Sequence, residues 1–106
     1  MTGARVLLLG IAYKRNSSDA REAPGVRLAA RLTAAGALVT VADPHVVEDV
    51  LPGVRRCAAS PVELAAQDAV VLVTDHDAFD YEAVLRHADY VLDTRHRLEG
   101  PHVEHL

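Results

Sequence analysis

Arg5-Val6-Leu7-Leu8-Leu9-Gly10-Ile11-Ala12-Tyr13-Lys14-Arg15 is the stretch on which the reading of this chain turns. A run of Val and Leu that stops at a glycine reads as a strand buried on both faces, since a half-solvated strand would alternate apolar with polar. A polar loop comes next, and then a helical pattern opening at Pro24, where a first-turn proline is tolerated. Val26, Ala29, Ala30 and Thr33, with Leu28 and Leu32, form a helix-period apolar face. Arg27 and Arg31 share the solvent side, and Gly36 suits the position just past the helix end.

Outward from this β-loop-α unit the pattern repeats. Leu38–Ala42 is a second strand stopped by Asp43-Pro44, Glu48–Leu51 reads as one helical turn, and Val54–Ala58 is a weaker strand. Ser60-Pro61-Val62-Glu63 is a capping box with proline at the first helical position, which predicts a short helix over Pro61–Gln67. Ala69–Val73 is the clearest buried strand. Asp80 caps a helix over Tyr81–His87, Tyr90–Leu92 is the last strand, and the tail from Leu98 is polar and expected to fray. Strands buried on both faces and separated by helices call for a parallel sheet with helices on each side. The expected fold is α/β, a Rossmann-like three-layer sandwich with a mostly parallel sheet of about five strands. Residues 1–98 form the expected domain and 99–106 a polar tail.

At 106 residues the chain is one domain, half of it apolar. No apolar run approaches the ~18 residues of a membrane span, and the run at Val6–Leu9 is too short for a signal-peptide core. A cytoplasmic location without membrane contact is the expectation. Cys57 is the single cysteine, so neither an intramolecular disulfide nor a cysteine zinc site can form, and a small buried apolar role is expected for it. Charge is uneven. Residues 1–31 hold six positives against two acids (+4), and the rest hold five against thirteen (−8). With one Phe and three Tyr, the chain lacks both the basic surface and the stacking platforms of a nucleic-acid binder. A local anion site suits it better.

In such sheets ligands bind beyond the carboxyl ends of the strands, which directs attention to the loops 10–24, 43–46, 74–80 and 93–97. The first loop keeps one glycine of the dinucleotide fingerprint G-x-G-x-x-G, and Tyr13 and Lys14 stand where pyrophosphate wants small residues. Ordinary dinucleotide binding and a P-loop are both excluded. There remain Lys14 and Arg21 ahead of a helix N-terminus, whose free N–H groups favour an anion.

Leu9-Gly10-Ile11-Ala12-Tyr13-Lys14, Asp19-Ala20-Arg21-Glu22-Ala23-Pro24 and Asp43-Pro44-His45 together resemble the C-terminal domain of the UDP-glucose/GDP-mannose dehydrogenases. Thr74-Asp75-His76-Asp77-Ala78-Phe79 is similar to that family's T-x-H-x-x-[FY] segment, and Asp93-Thr94-Arg95 to its D-[TGP]-R strand end. The motifs lie in the family's order from Arg5 to about Leu98. The resemblance implies an enzyme that oxidises the C6 hydroxyl of a UDP- or GDP-linked hexose to a carboxylate, reducing two NAD⁺. It implies that Tyr13, Lys14 and Arg95 bind the substrate, that Arg21 reaches the NAD pyrophosphate, and that Asp19 and Glu22 hold these cations in place. NAD would be bound mainly by a separate Rossmann domain, and the catalytic cysteine would sit on a central helical domain. Neither is present in this chain, and Cys57 lies in the wrong context to be that nucleophile. On this reading the isolated chain is inactive. The alternative is a stand-alone nucleotide-binding or assembly module without catalysis.

Other constellations have plainer explanations. His45, His76 and His96 come after strand ends near Asp43, Asp75, Asp77 and Asp93, but such residues cap turns, and no metal site is expected. His102 and His105 have ligand spacing only on a helix. Ser17-Ser18 lacks a nucleophile elbow. Asp43-Pro44 reads as a turn rather than as the ribose-gripping acid of dinucleotide folds. Tyr13 reads equally as a base-stacking ring or a packed one, and Phe79 as packed. A receiver domain would need an acidic cluster where Lys14 and Arg15 stand.

Overall fold

The computed structural model describes residues 3–11, 24–44 and 54–106. Its elements are β1 (Arg5–Leu9), α1 (Pro24–Ala34), β2 (Leu38–Ala42), β3 (Arg55–Arg56), α2 (Pro61–Ala65), β4 (Ala69–Leu72), α3 (Tyr81–His87), β5 (Val91–Asp93) and β6 (Val103–His105). The strands form one sheet in the order β3-β2-β1-β4-β5-β6, every neighbouring pair parallel. The Glu48–Leu51 turn lies outside the described residues.

β1 is central because its side chains satisfy both faces. Val6 and Leu8 pack with Ala29, Val39, Val41 and Val71 on the α1 side, while Leu7 and Leu9 pack with Leu64, Val70, Leu72 and Val84 on the α2–α3 side. Leu7, Leu8 and Leu9 are fully buried. Each contributes roughly 1.5–3 kcal/mol of burial free energy, so this one strand ties the two layers together. The three-layer sandwich is therefore as the sequence implies. Within α1, Ala29 is buried and Val26, Leu28 and Leu32 are half-buried, whereas Ala30 and Thr33 face solvent. The apolar stripe is narrower than the sequence pattern suggests.

The short helices start where their caps dictate. The Ser60 hydroxyl accepts from the Glu63 N–H at 3.3 Å, and the Asp80 carboxylate from the Ala83 N–H at 3.1 Å.

The sheet has six strands rather than about five, and the extra one lies in the tail expected to fray. β6 pairs with β5 in register, Val91 with Val103 and Asp93 with His105. Residues 94–102 make the connection without a helix, although parallel crossovers usually need a dozen or more residues. A polar three-residue strand has no apolar signature of its own, and it is its pairing to β5 that creates it.

The register brings the strand ends level. Leu9 pairs with Ala42 and with Leu72, Leu72 with Asp93, and Asp93 with His105. The strand ends from which the loops leave therefore lie along one edge. The chain reverses direction across the sheet between β1 and β4, so the first loop and the loop after β4 flank the point where α/β sheets bind ligands.

Candidate functional site

Of the residues expected to bind ligand, Tyr13, Lys14, Asp19, Arg21 and Glu22 lie outside the described residues, as does His45. The described residues contain the base of the first loop, and this base is held tightly. Gly10 adopts φ +85°, and a Cβ there would stand 2.6 Å from the Thr74 carbonyl oxygen. Only glycine meets both demands. From the other side Gly25 at the start of α1 packs so closely that a Cβ would lie 2.8 Å from Ile11 Cα. The Gly10 N–H donates to the Ala42 carbonyl at 2.8 Å.

The third grip comes from β2. The Asp43 carboxylate accepts the Ile11 N–H at 2.7 Å and, through the same Oδ2, faces His76 Nε2 at 2.9 Å. Both side chains are fully buried. An ionised carboxylate can only accept, so the ring hydrogen belongs on Nε2. In the sequence Asp43 reads as a turn former and His76 as a strand-end cap. The contact joins residues 33 positions apart, and only the T-x-H and D-P motifs mark the two positions at all. Buried as it is, His76 cannot act as a general base on a solvent-borne substrate.

Arg95 emerges from the opposite side of the same edge. Its guanidinium Nε donates back to the Val73 carbonyl at 3.0 Å and lies 3.9 Å from Asp75 Oδ1, so the side chain leans over the end of β4 towards β1. Its Nη atoms have no hydrogen-bond partner among the described residues, and the side chain is 38% exposed. The turn that carries it is built on Asp93. That carboxylate, 0% exposed, accepts from the N–H groups of Arg95 (2.8 Å), Arg97 (2.6 Å) and Leu98 (2.7 Å). His96 takes φ 56° to let successive amides converge, which makes a small backbone nest filled by the chain's own anion. Thr94 ties the turn to β4 through Oγ1 to the Leu72 carbonyl, 2.7 Å.

Arg97, two residues on, is committed elsewhere. It lies 3.4 Å from Asp75 and 3.6 Å from Asp77, and its guanidinium sits 4.6 Å above the Tyr81 ring. Tyr81 in turn donates its hydroxyl to the His76 carbonyl at 2.6 Å and packs edge-on against Phe79. Burial pushes the Tyr81 phenol up to about 12, with Asp75, Asp77 and Asp93 adding to the shift and Arg97 opposing it. Phe79 is buried, in keeping with a packing role.

Beside this edge a cavity of about 350 Å³ opens between the ends of β2 and β3 and the loop after β4, walled by Asp43, Pro44, Arg56, Cys57, Phe79 and Asp80 among others. Cys57 is half-buried rather than fully so, and burial, followed by the nearby Glu63 carboxylate, raises its thiol pKa. His102 and His105 lie on a turn and a strand. Among the described residues no group of three or more His, Cys, Asp or Glu is placed to hold a metal ion.

A parallel sheet with polar side chains, Arg95 among them, gathered at its carboxyl edge has the architecture of a nucleotide-binding-type α/β domain. Residues 7–100 match the model of the UDP-glucose/GDP-mannose dehydrogenase family, UDP binding domain, and the chain belongs to that family. It is 36% identical to the UDP-glucose 6-dehydrogenase of Rhizobium meliloti over 80 residues, covering 73% of this chain and 18% of that protein. It is 33% identical to the UDP-N-acetyl-D-mannosamine dehydrogenase of Salmonella typhi over 97 residues, covering 86% of this chain and 23% of the other. The structure of a UDP-glucose dehydrogenase from the hyperthermophilic archaeon Pyrobaculum islandicum superposes with a TM-score of 0.82 at 30% identity, over 98% of this chain and 24% of that one. The chain thus spans about a fifth to a quarter of the length of these relatives. No helix among the described residues is long and apolar enough to cross a membrane.

Proposed function

We propose that this chain grips the diphosphate of a UDP- or GDP-linked hexose within an NAD-dependent dehydrogenase that oxidises the sugar C6 hydroxyl to a carboxylate, of the UDP-glucose to UDP-glucuronate type. The observation that carries this is the Arg95 guanidinium, which leans across β4 with its Nη atoms uncommitted among the described residues, towards the edge where the first loop begins. The ends of β1 and β5 are two strand spacings apart, about 10 Å, a span that a diphosphate with its flanking sugars can bridge. Tyr13 and Lys14 come two and three residues after Ile11 and meet the ligand from the other side. Arg supplies a planar bidentate donor and Lys a mobile point charge, both suited to phosphate oxygens.

The described residues do not fit NAD in the ordinary dinucleotide manner. The glycine pattern is missing after Gly10, and the acid at the end of β2, Asp43, turns inward to Ile11 and His76 rather than outward to a ribose. NAD is therefore assigned chiefly to another domain of the parent enzyme, with Arg21 reaching its pyrophosphate and Asp19 and Glu22 supporting the cations. A central helical domain supplies the catalytic cysteine, and the 106-residue chain alone oxidises no sugar.

NMR shift mapping with UDP, UDP-glucose, GDP-mannose and NAD tests the reading. Shifts centred on Arg95 and the residues after Ile11, weakened about tenfold by Arg95→Ala or Lys14→Ala with the fold intact, are expected for loss of a charge-assisted contact. Shifts confined to the opposite edge, or sugar-dependent NAD reduction by this chain alone, would overturn it.

A further inference from the structure

We infer that the buried Asp43–His76 pair is the positioning device of the ligand loop: His76 fixes the carboxylate of Asp43, and Asp43 fixes the first amide beyond β1, which sets where the cations of that loop are delivered. The inference rests on the proposed function above and goes beyond it by naming two residues that act through the base of the loop.

The geometry is specific. Ile11 is the last described residue before the loop that carries Tyr13 and Lys14. Two close glycine contacts restrain its neighbourhood sterically, Gly10 against Thr74 and Gly25 against Ile11. Steric contact fixes position but leaves the peptide plane able to rotate. The hydrogen bond from the Ile11 N–H to Asp43 Oδ2, at 2.7 Å and buried, removes that freedom. A carboxylate swinging about its own torsions would be a poor anchor, and the second bond, from His76 Nε2 to the same Oδ2 at 2.9 Å, locks it. His76 is itself held by main chain, its N–H donating to the Thr74 carbonyl at 3.0 Å and its carbonyl accepting the Tyr81 hydroxyl at 2.6 Å.

A purely structural role is the competing account. A fully buried charged acceptor is expensive to desolvate, and an apolar pair of similar volume would fill the same space at lower cost. The position also matters. The end of β2 is where an acid in this topology ordinarily faces a ligand, yet here it is turned onto the loop.

The test uses the 106-residue chain, with UDP as probe and two readouts, UDP affinity and exchange of the Ile11 amide. His76→Leu keeps an apolar filling but removes the donor. His76→Gln restores an N–H that can reach the position of Nε2. His76→Leu is expected to stay folded, to expose the Ile11 amide to faster exchange and to bind UDP about tenfold more weakly, the loss expected when one charge-assisted contact of the loop to the diphosphate is misplaced. His76→Gln should recover UDP affinity to within about threefold. Asp43→Ala should lose more than His76→Leu. If it fails to fold, the His76 pair of variants still decides the matter. A folded His76→Leu with unaltered UDP affinity and Ile11 exchange overturns the inference, as does a His76→Gln no better than His76→Leu. Should the unaltered chain not bind UDP, the proposed function falls, and faster Ile11 exchange in His76→Leu would still establish the grip. Tighter UDP binding by the variants would mean that Asp43 acts as a repelling charge, and would sink the inference too.

Discussion

At the carboxyl edge of the sheet three fully buried polar side chains, Asp43, His76 and Asp93, each hold a loop through hydrogen bonds of 2.6–2.9 Å. At the amino edge, just before β4, Gln67 is buried to a similar degree with neither its amide nitrogen nor its oxygen bonded among the described residues. A buried polar group with partners contributes, and one without them costs its full desolvation. The contrast teaches that polarity was placed at one edge for a purpose and merely tolerated at the other.

The largest test of that contrast is Asp93→Ala, which strands three N–H groups that now share one carboxylate. Bonds to a charged acceptor are worth about 1.5–3 kcal/mol each and are not additive, so a loss of about 3–5 kcal/mol in urea unfolding is expected. A loss under about 1 kcal/mol would make the two edges equivalent. Gly10→Ala should cost about 2 kcal/mol or more on the same assay, combining a left-handed backbone with the clash against Thr74. At the other edge the sign reverses. Gln67→Met should gain about 1 kcal/mol and raise Tm by about 4–8 °C.

A smaller effect tests the same edge by titration. An unperturbed tyrosine ionises at 10.0 and Tyr81 at about 12, so the folded state holds this proton more tightly than the unfolded one. Its stabilisation is complete below pH 10 and is lost as pH rises through about 12. Phenolate absorbance should show a component near 12 that Tyr81→Phe abolishes. Least of all, the raised thiol pKa of Cys57 should make its alkylation at neutral pH slower than that of free cysteine.

Much of the fold is legible in the chain because its signals are local. β1 and β2 arise from short Val- and Leu-rich runs, and the caps at Ser60 and Asp80 start α2 and α3 where the sequence places them. β6 is not legible, since Val103-Glu104-His105 becomes a strand only by pairing with β5. The candidate site divides in the same way. Arg95 is marked by its place after a strand end. The partners of Asp43 lie 32 and 33 residues away, and no period or spacing links positions so distant. Asp93 lies between these cases, because its bonds run two to five residues ahead but need the backbone to bend back at His96.

The turn after β5 carries a consequence for how such a domain changes its taste in ligands. The hydrogen bonds to Asp93 come from main-chain N–H groups, which every residue except proline possesses, with His105 Nε2 standing 3.7 Å from the carboxylate. The backbone bonds that set the path of the loop thus do not depend on which side chains ride on positions 95 and 97, although Arg95 and Arg97 add side-chain contacts to Val73, Asp75 and Asp77. Recognition chemistry there can be rewritten one codon at a time, by drift or by design, on a platform that does not have to be rebuilt.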